Sequence, residues 1–328
     1  MEGRAATAHP LTLARRLATG AAAAVLALAT AACASGTDAA DGPNTATRAF
    51  ASDHTDGEVE IPESPERIVA IGWAVPALIS VEEAELVGVS RGTQDTSLTP
   101  EEREKAASLP SVGTDLEIDV EKVAELEPDL IVSGLASAMD FDYSELEQVA
   151  PVAVAAMDAP VQWKETGRRI ADAAGVADAH AELIEEYDAR AEELSRTYAD
   201  ELEGTTFASV AAWGDGTWVL EHREAHGPNV LADAGLEFTE EAEDGAFSEN
   251  LSPEELDRLN GYDAVIVRAE ENGDPEAEVQ KIMDQGPWDE TTPAEEDRVY
   301  PVPYVGAMSY TTGLLVFDEL EERVLKQL

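Results

Sequence analysis

Trp73, Trp213, Trp288, Tyr304 and Tyr310 fall at or just past the ends of apolar, strand-like runs. Arg91, Arg223 and Arg268 occupy the same kind of position. Aromatic rings give a large contact area at low entropy cost, and a guanidinium can fork onto carbonyl or carboxylate oxygens. That is the chemistry of holding a bulky small molecule. Trp163 begins a helix and Trp218 lies inside a strand, so both read as packing; Trp288 fits either the core or the cleft. His222 and His226 are four apart and Met308 follows in VGAMSY, which are residue types that ligate haem iron. The segment 222–226 reads as loop, however, and that spacing does not put both rings on one helix face. The chain has no phosphate loop, no G-x-S-x-G and no HExxH, and the GDG at 214–216 reads as a turn between strands. The expected activity is binding, not turnover.

Two halves of similar grammar must position these residues. RIVAI (67–71), LVGV (86–89), DLIVS (129–133) and 152–156 read as buried strands, separated by helices near 76–84, 120–126 and 143–149. Asp119 is the expected N-cap of the second helix and Pro128 its stop. The second half repeats the pattern with strands at 207–213, 218–220, 264–267 and 299–303 and helices at 229–234, 253–259, 276–284 and 311–327. Strands alternating with helices predict an α/β fold of two Rossmann-like lobes with covered parallel sheets. Between them, 163–174 and 178–202 read as helices, the latter with Leu183, Tyr187, Leu194, Tyr198 and Leu202 in one stripe. A rigid rod about 38 Å long suits a stiff hinge.

The first residues carry a different message. Arg4, Arg15 and Arg16 precede an apolar, alanine-rich run that is too short to span a bilayer well and ends at Cys33, the only cysteine. The arrangement looks like a bacterial lipobox, with Thr30 standing where leucine is usual. The expected domains are a signal peptide (1–32), a lipid-anchored flexible tether (33–57), an N-terminal lobe (58–160), linking helices (161–203) and a C-terminal lobe (204–328). Lipidation at Cys33 places the protein outside the cytoplasm, on the outer face of the cell membrane. The chain holds 21 Lys+Arg against 69 Asp+Glu, a net charge of -48. Nucleic acid and anionic membrane surfaces are therefore excluded as partners. The acids occur throughout, which suits a fold kept hydrated in high salt.

PERIVAIGW (65–73), LVGVS (86–90), VGTDLEIDVEKVAELEPDLIV (112–132), VAPV (149–152), GPNVLADAGL (227–236) and RVYPVPYV (298–305) appear in order. With this set the chain resembles the solute-binding proteins of ABC importers for ferric siderophores, haem and cobalamin, from about residue 59 onward. Gly72-Trp73-Ala74-Val75-Pro76 is most similar to the ferric-hydroxamate binders. The resemblance implies a monomer that captures an iron(III)-siderophore between its lobes and delivers it to an ABC permease, with no resident cofactor. Haem or cobalamin is the alternative cargo. The ligand residues implied are Trp73, Arg91, Trp213, Arg223, Arg268, Tyr304, Met308 and Tyr310. One acidic residue per lobe is implied to dock on the permease; Glu82 and Glu83 stand nearest the first position, and Asp233 fits the second.

Overall fold

The computed structural model describes residues 46–55, 57–92, 97–238 and 246–328. The chain from Thr45 onward forms one compact unit. Residues 1–32 and Cys33 lie outside the described residues.

A hairpin opens the fold: β1 (Thr47–Ala51) pairs antiparallel with β2 (Glu58–Pro62). Part of the stretch expected to be tether is therefore folded. Phe50 and Ile61 bury its inner face, and ion pairs from Arg48 to Asp172 and from Arg169 to Asp53 fasten it to the first hinge helix. The first lobe's sheet comprises β3 (Ile68–Ile71), β4 (Leu86–Arg91), β5 (Ser111–Thr114), β6 (Glu117–Ile118), β7 (Leu130–Ser133) and β8 (Val152–Val154). Its order is β6-β5-β4-β3-β7-β8, all parallel except the short β6. The helices of this lobe are α1 (Ala74–Ile79), α2 (Pro100–Ser108) and α3 (Val120–Glu125). β3 and β7 are buried at every position, as uninterrupted β-branched and leucine runs require of central parallel strands. Asp119 caps α3 through Lys122 N, as expected.

The hinge is α4 (Trp163–Ala173), α5 (Ala177–Thr197) and the one-turn α6 (Ala199–Leu202). The rod expected over 178–202 breaks at Tyr198, whose backbone leaves the helical region. α5 alone is 21 residues, or about 31 Å. These helices feed both cores. Ile170, Ala171 and Ala173 join the first lobe's cluster, Trp163, Tyr187 and Leu194 join the second's, and Leu183 packs on both.

The second lobe holds β9 (Thr206–Ala211), β10 (Trp218–Glu221), α7 (His226–Asp233), β11 (Glu237–Phe238), β12 (Ser248–Leu251), β13 (Ala264–Ala269), α8 (Ala277–Met283), α9 (Gly286–Asp289), α10 (Thr292–Glu295), β14 (Val299–Pro303) and α11 (Tyr310–Arg323). The sheet order is β12-β10-β9-β13-β14, with β11 beside β9. β9, β11, β13 and β14 are parallel; β10 runs against them, and β12, antiparallel to β10, points the same way as β9. The GDG turn explains the mixture. Gly214 and Gly216 adopt positive φ, and Asp215 Oδ1 accepts from Thr217 N at 2.9 Å, so β10 folds straight back on β9.

The lobes also touch directly. Ser97 Oγ donates to Gly306 O at 3.2 Å, and Thr312 Oγ1 donates to Ser97 O at 2.7 Å. Glu102 closes the capping box of α2 with Thr99, and its other oxygen accepts from Thr311 Oγ1 at 2.6 Å. Arg103 pairs with Glu271.

His180 sits on α5 at 3% exposure, with its ring 5.3 Å from that of Tyr310. Burial first, then Arg168, pushes its pKa down to about 4. Its folded pKa lies below its unfolded value near 6.5, so the unfolded state gains protons first. The stabilisation is complete above pH 6.5 and is lost as pH falls toward 4, by up to about 3 kcal/mol. Histidine ring-proton NMR should find two resonances, those of His180 and of His226 on α7, that do not titrate above pH 5. If every described histidine titrates near 6.5, this burial has no thermodynamic consequence.

Candidate functional site

Gly72 turns the chain from β3 into α1 at φ 62, and a Cβ there would meet Leu135 Cδ2 at 2.8 Å. Trp73 follows as the residue before the helix and packs against the second lobe's hydrophobic cluster. Gly134, at the end of β7, lies so close that a Cβ would meet Trp73 Cβ at 2.9 Å. Two glycines thus set the first lobe's contribution to the cleft.

The second lobe builds the opposite wall by sheet register. Ser209 on β9 stands opposite Glu221 on β10, and on its other side opposite Ile266 on β13. Arg268 lies two residues beyond Ile266 and so on the same face. Ser209 Oγ donates to Glu221 Oε2 at 2.8 Å, and Arg268 Nη2 donates to Glu221 Oε1 at 2.5 Å. The side chains of Arg268 and Glu221 are 14% and 3% exposed, so the pair is nearly dry. The Trp213 ring lies over the guanidinium, 5.0 Å from its carbon, and is 58% exposed on its other side.

Trp73, Trp213, Arg268 and Met308 line one cavity of about 490 Å³, together with Ser97, Glu221, His226 and Phe247. Tyr304 lines an adjoining cavity of about 170 Å³ that shares Arg268 and Gly306 with the first. Tyr304 holds φ 62, a left-handed conformation that costs a tyrosine about 1–2 kcal/mol and marks the end of β14 as a strained turn. His226 opens α7 at the cavity wall; burial and Arg268 push its pKa to about 4 against the pull of Glu221, so the ring is neutral.

The remaining expected residues lie elsewhere. Arg91 Nη2 donates to the carbonyls of Ala106 and Leu109 at 2.5 and 3.3 Å; it closes the C-terminal end of α2 and does not reach the cleft. Arg223 is exposed on the turn before α7. Tyr310 is 3% exposed and packs among Trp163, Tyr187 and His180 beneath the cleft floor, as the first residue of α11. Trp288 is core, at 3% exposure. His222 is held by Glu249 at 3.0 Å and is buried, so it cannot pair with His226 across a haem. Asp233 faces inward, bound by Lys164 and by the Tyr187 hydroxyl, and is not a free docking acid; Glu82 and Glu83 are exposed. Sequence reasoning missed Glu221, which is hidden among many acids although it ends the otherwise apolar run WVLE, and Phe247, which no strand pattern marks.

Among the described residues no cluster of three or more histidine, cysteine or acidic side chains could hold a metal ion, and no helix is long and apolar enough to cross a membrane. A larger concavity of about 790 Å³ lies between the end of α1, α2 and the start of α11. Its lining has no aromatic side chain and several acids, among them Glu82, Glu101, Glu102 and Glu104. The cleft cavity, by contrast, is walled by Trp73, Trp213 and Phe247, the rings that a bulky chelate can stack on.

The family profile described as "Periplasmic binding protein" matches residues 72–304, which holds both walls of the cleft. The chain belongs to this family. It is a family of binding proteins, not enzymes. The chain is 30% identical over 190 residues to the "Iron(3+)-hydroxamate-binding protein YxeB" of Bacillus subtilis (strain 168), covering 57% of this chain and 56% of that one. It is 29% identical over 146 residues to the "Probable siderophore-binding lipoprotein YfiY" of the same organism, covering 44% of each. The chain thus spans about half the length of the curated relatives it matches. Among solved structures, the siderophore periplasmic binding protein from the fuscachelin gene cluster of Thermobifida fusca is 28% identical with a TM-score of 0.69, covering 81% of this chain and 98% of that one.

Proposed function

We propose that this protein is an extracytoplasmic lipoprotein, anchored through Cys33, that binds an iron(III)-siderophore between its lobes and delivers it to an ABC permease as a monomer. The observation that carries this reading is the cleft itself. Trp73 from one lobe and Trp213 and Arg268 from the other line one cavity. An iron wrapped by its chelator presents an apolar shell with a few oxygen edges, and rings with one forked donor suit that surface. The relatives named for siderophores and hydroxamates support the same cargo. Glu82 and Glu83 are the docking acids of the first lobe. Haem and cobalamin are disfavoured because the matched relatives are named for siderophores and hydroxamates, and Glu249 holds His222 out of an axial pair with His226.

The test is tryptophan fluorescence titrated with ferrioxamine, a ferric catecholate, haemin and cobalamin. Saturable quenching by a ferric chelate at sub-micromolar concentration is expected, and silence toward both chelates refutes the cargo. Trp213→Ala should weaken that binding about ten- to a hundredfold, the worth of a contact of about 1.4–2.7 kcal/mol. Its ring is 58% exposed, so the melting temperature should stay within a few degrees. Unchanged affinity would remove Trp213 from the site.

A further inference from the structure

The two cavities of the cleft contain guanidinium groups whose charge is already cancelled. Arg268 is bound by Glu221, and Arg103 by Glu271. Glu270 and Glu276 also line the smaller cavity, so among the described lining residues carboxylates outnumber guanidiniums. His226 adds no positive charge, because its buried ring is neutral. Burial also raises the pKa of Glu276; Arg268 opposes this, and Glu270 and Glu221 reinforce it.

The donors nonetheless survive. Arg268 Nε and Arg103 Nε are both buried and have no hydrogen-bond partner among the described residues. A buried, unpaired N–H is costly, so each requires an acceptor that the described residues do not supply. Such a site offers hydrogen bonds without net positive charge. It suits an uncharged carbonyl or hydroxamate oxygen and repels an anion, and the low dielectric of a dry pair amplifies that repulsion.

We propose that Glu221, by neutralising Arg268, makes this cleft select ferric chelates by charge, taking those with no net negative charge and refusing polyanionic ones. The inference rests on the siderophore reading above. It assigns Glu221 as a positioning and specificity-determining residue. It also gives a charge-based reason why the tris-hydroxamates, whose ferric complexes are neutral or cationic, fit this chain better than the trianionic tris-catecholates.

The experiment measures the dissociation constants of ferrioxamine E, which is neutral, and ferric enterobactin, a trianion, by quenching. It uses the wild-type protein, Glu221→Gln and Glu276→Gln. The wild type should prefer the neutral chelate at least about a hundredfold, and raising the salt should narrow the gap by screening. Each glutamine variant should lower the ratio about tenfold or more, mainly by tightening the anion. Loss of packing alone would weaken both ligands together and leave the ratio unchanged. Should Glu221→Gln fail to fold, Glu276→Gln still decides; the salt series alone does not, because salt also screens the chain's overall charge of -48. Equal affinity of the wild type for both chelates, or a ratio that no folded variant moves, overturns the charge selection while leaving siderophore binding intact. Binding of neither chelate overturns the siderophore reading and this inference with it.

Discussion

Replacing Tyr187 with alanine is expected to destabilise the protein by about 4 kcal/mol, within the range for emptying a fully buried aromatic site. Tyr187 is 0% exposed at the middle of α5. Its ring centroid lies 6.0 Å from that of Trp163, 5.2 Å from Tyr310 and 4.8 Å from Phe317, so it joins α4, α5 and α11. Its hydroxyl donates to Asp233 on α7 at 2.5 Å, and Lys164 Nζ, 5.0 Å from the ring, pairs with the same carboxylate. Burial and that carboxylate drive the phenol's pKa far above its ordinary value, so it remains a donor at any physiological pH. Tyr187→Phe isolates the hydroxyl and should cost about 1–2 kcal/mol, because Asp233 retains Lys164. Urea unfolding of the two variants measures both terms. A loss below about 1 kcal/mol for the alanine variant would show that the aromatic knot does not carry the hinge.

Arg268→Ala should be damaging twice over. It leaves the Glu221 carboxylate 3% exposed, with Ser209 as its remaining hydrogen-bond donor, and breaking one side of such a pair costs about 3–5 kcal/mol. It also removes the forked donor beneath Trp213, so chelate affinity should fall at least about a hundredfold. The double variant Arg268→Met with Glu221→Leu separates these effects. Removing both charges and filling the volume should restore most of the stability, while binding stays lost. If the double variant binds as well as the wild type, the pair is structural and has no part in recognition.

The sequence made the central strands readable because the physics there is local. Ile68–Ile71, Leu130–Ser133 and Ala264–Ala269 are short runs with almost no polar position, and a strand covered on both faces needs nothing else. That Trp73, Trp213, Arg268 and Tyr304 line the two cavities was legible for a related reason, since residues past the ends of such strands converge where two sheets face each other. The hairpin β1–β2 was not legible. Its strands alternate polar and apolar residues weakly, and its anchors are Asp172 and Arg169, more than a hundred residues away. Arg91 follows its strand as Arg268 does, yet the end of α2 claims its guanidinium, an encounter set by tertiary packing. Tyr310 and Asp233 misled in the same way. A residue type marks what a side chain can do, but its helix's orientation decides whether it faces the cleft or the core.

The hinge helices insert side chains into the cores of both lobes, and Leu183 packs on each. Neither lobe can lose its packing without unwinding a helix on which the other depends. Calorimetry should therefore record a single endotherm whose van't Hoff and calorimetric enthalpies agree, not two resolved transitions. The protein is two-lobed in shape and one-domain in its melting, and a destabilising substitution in either half lowers the same temperature.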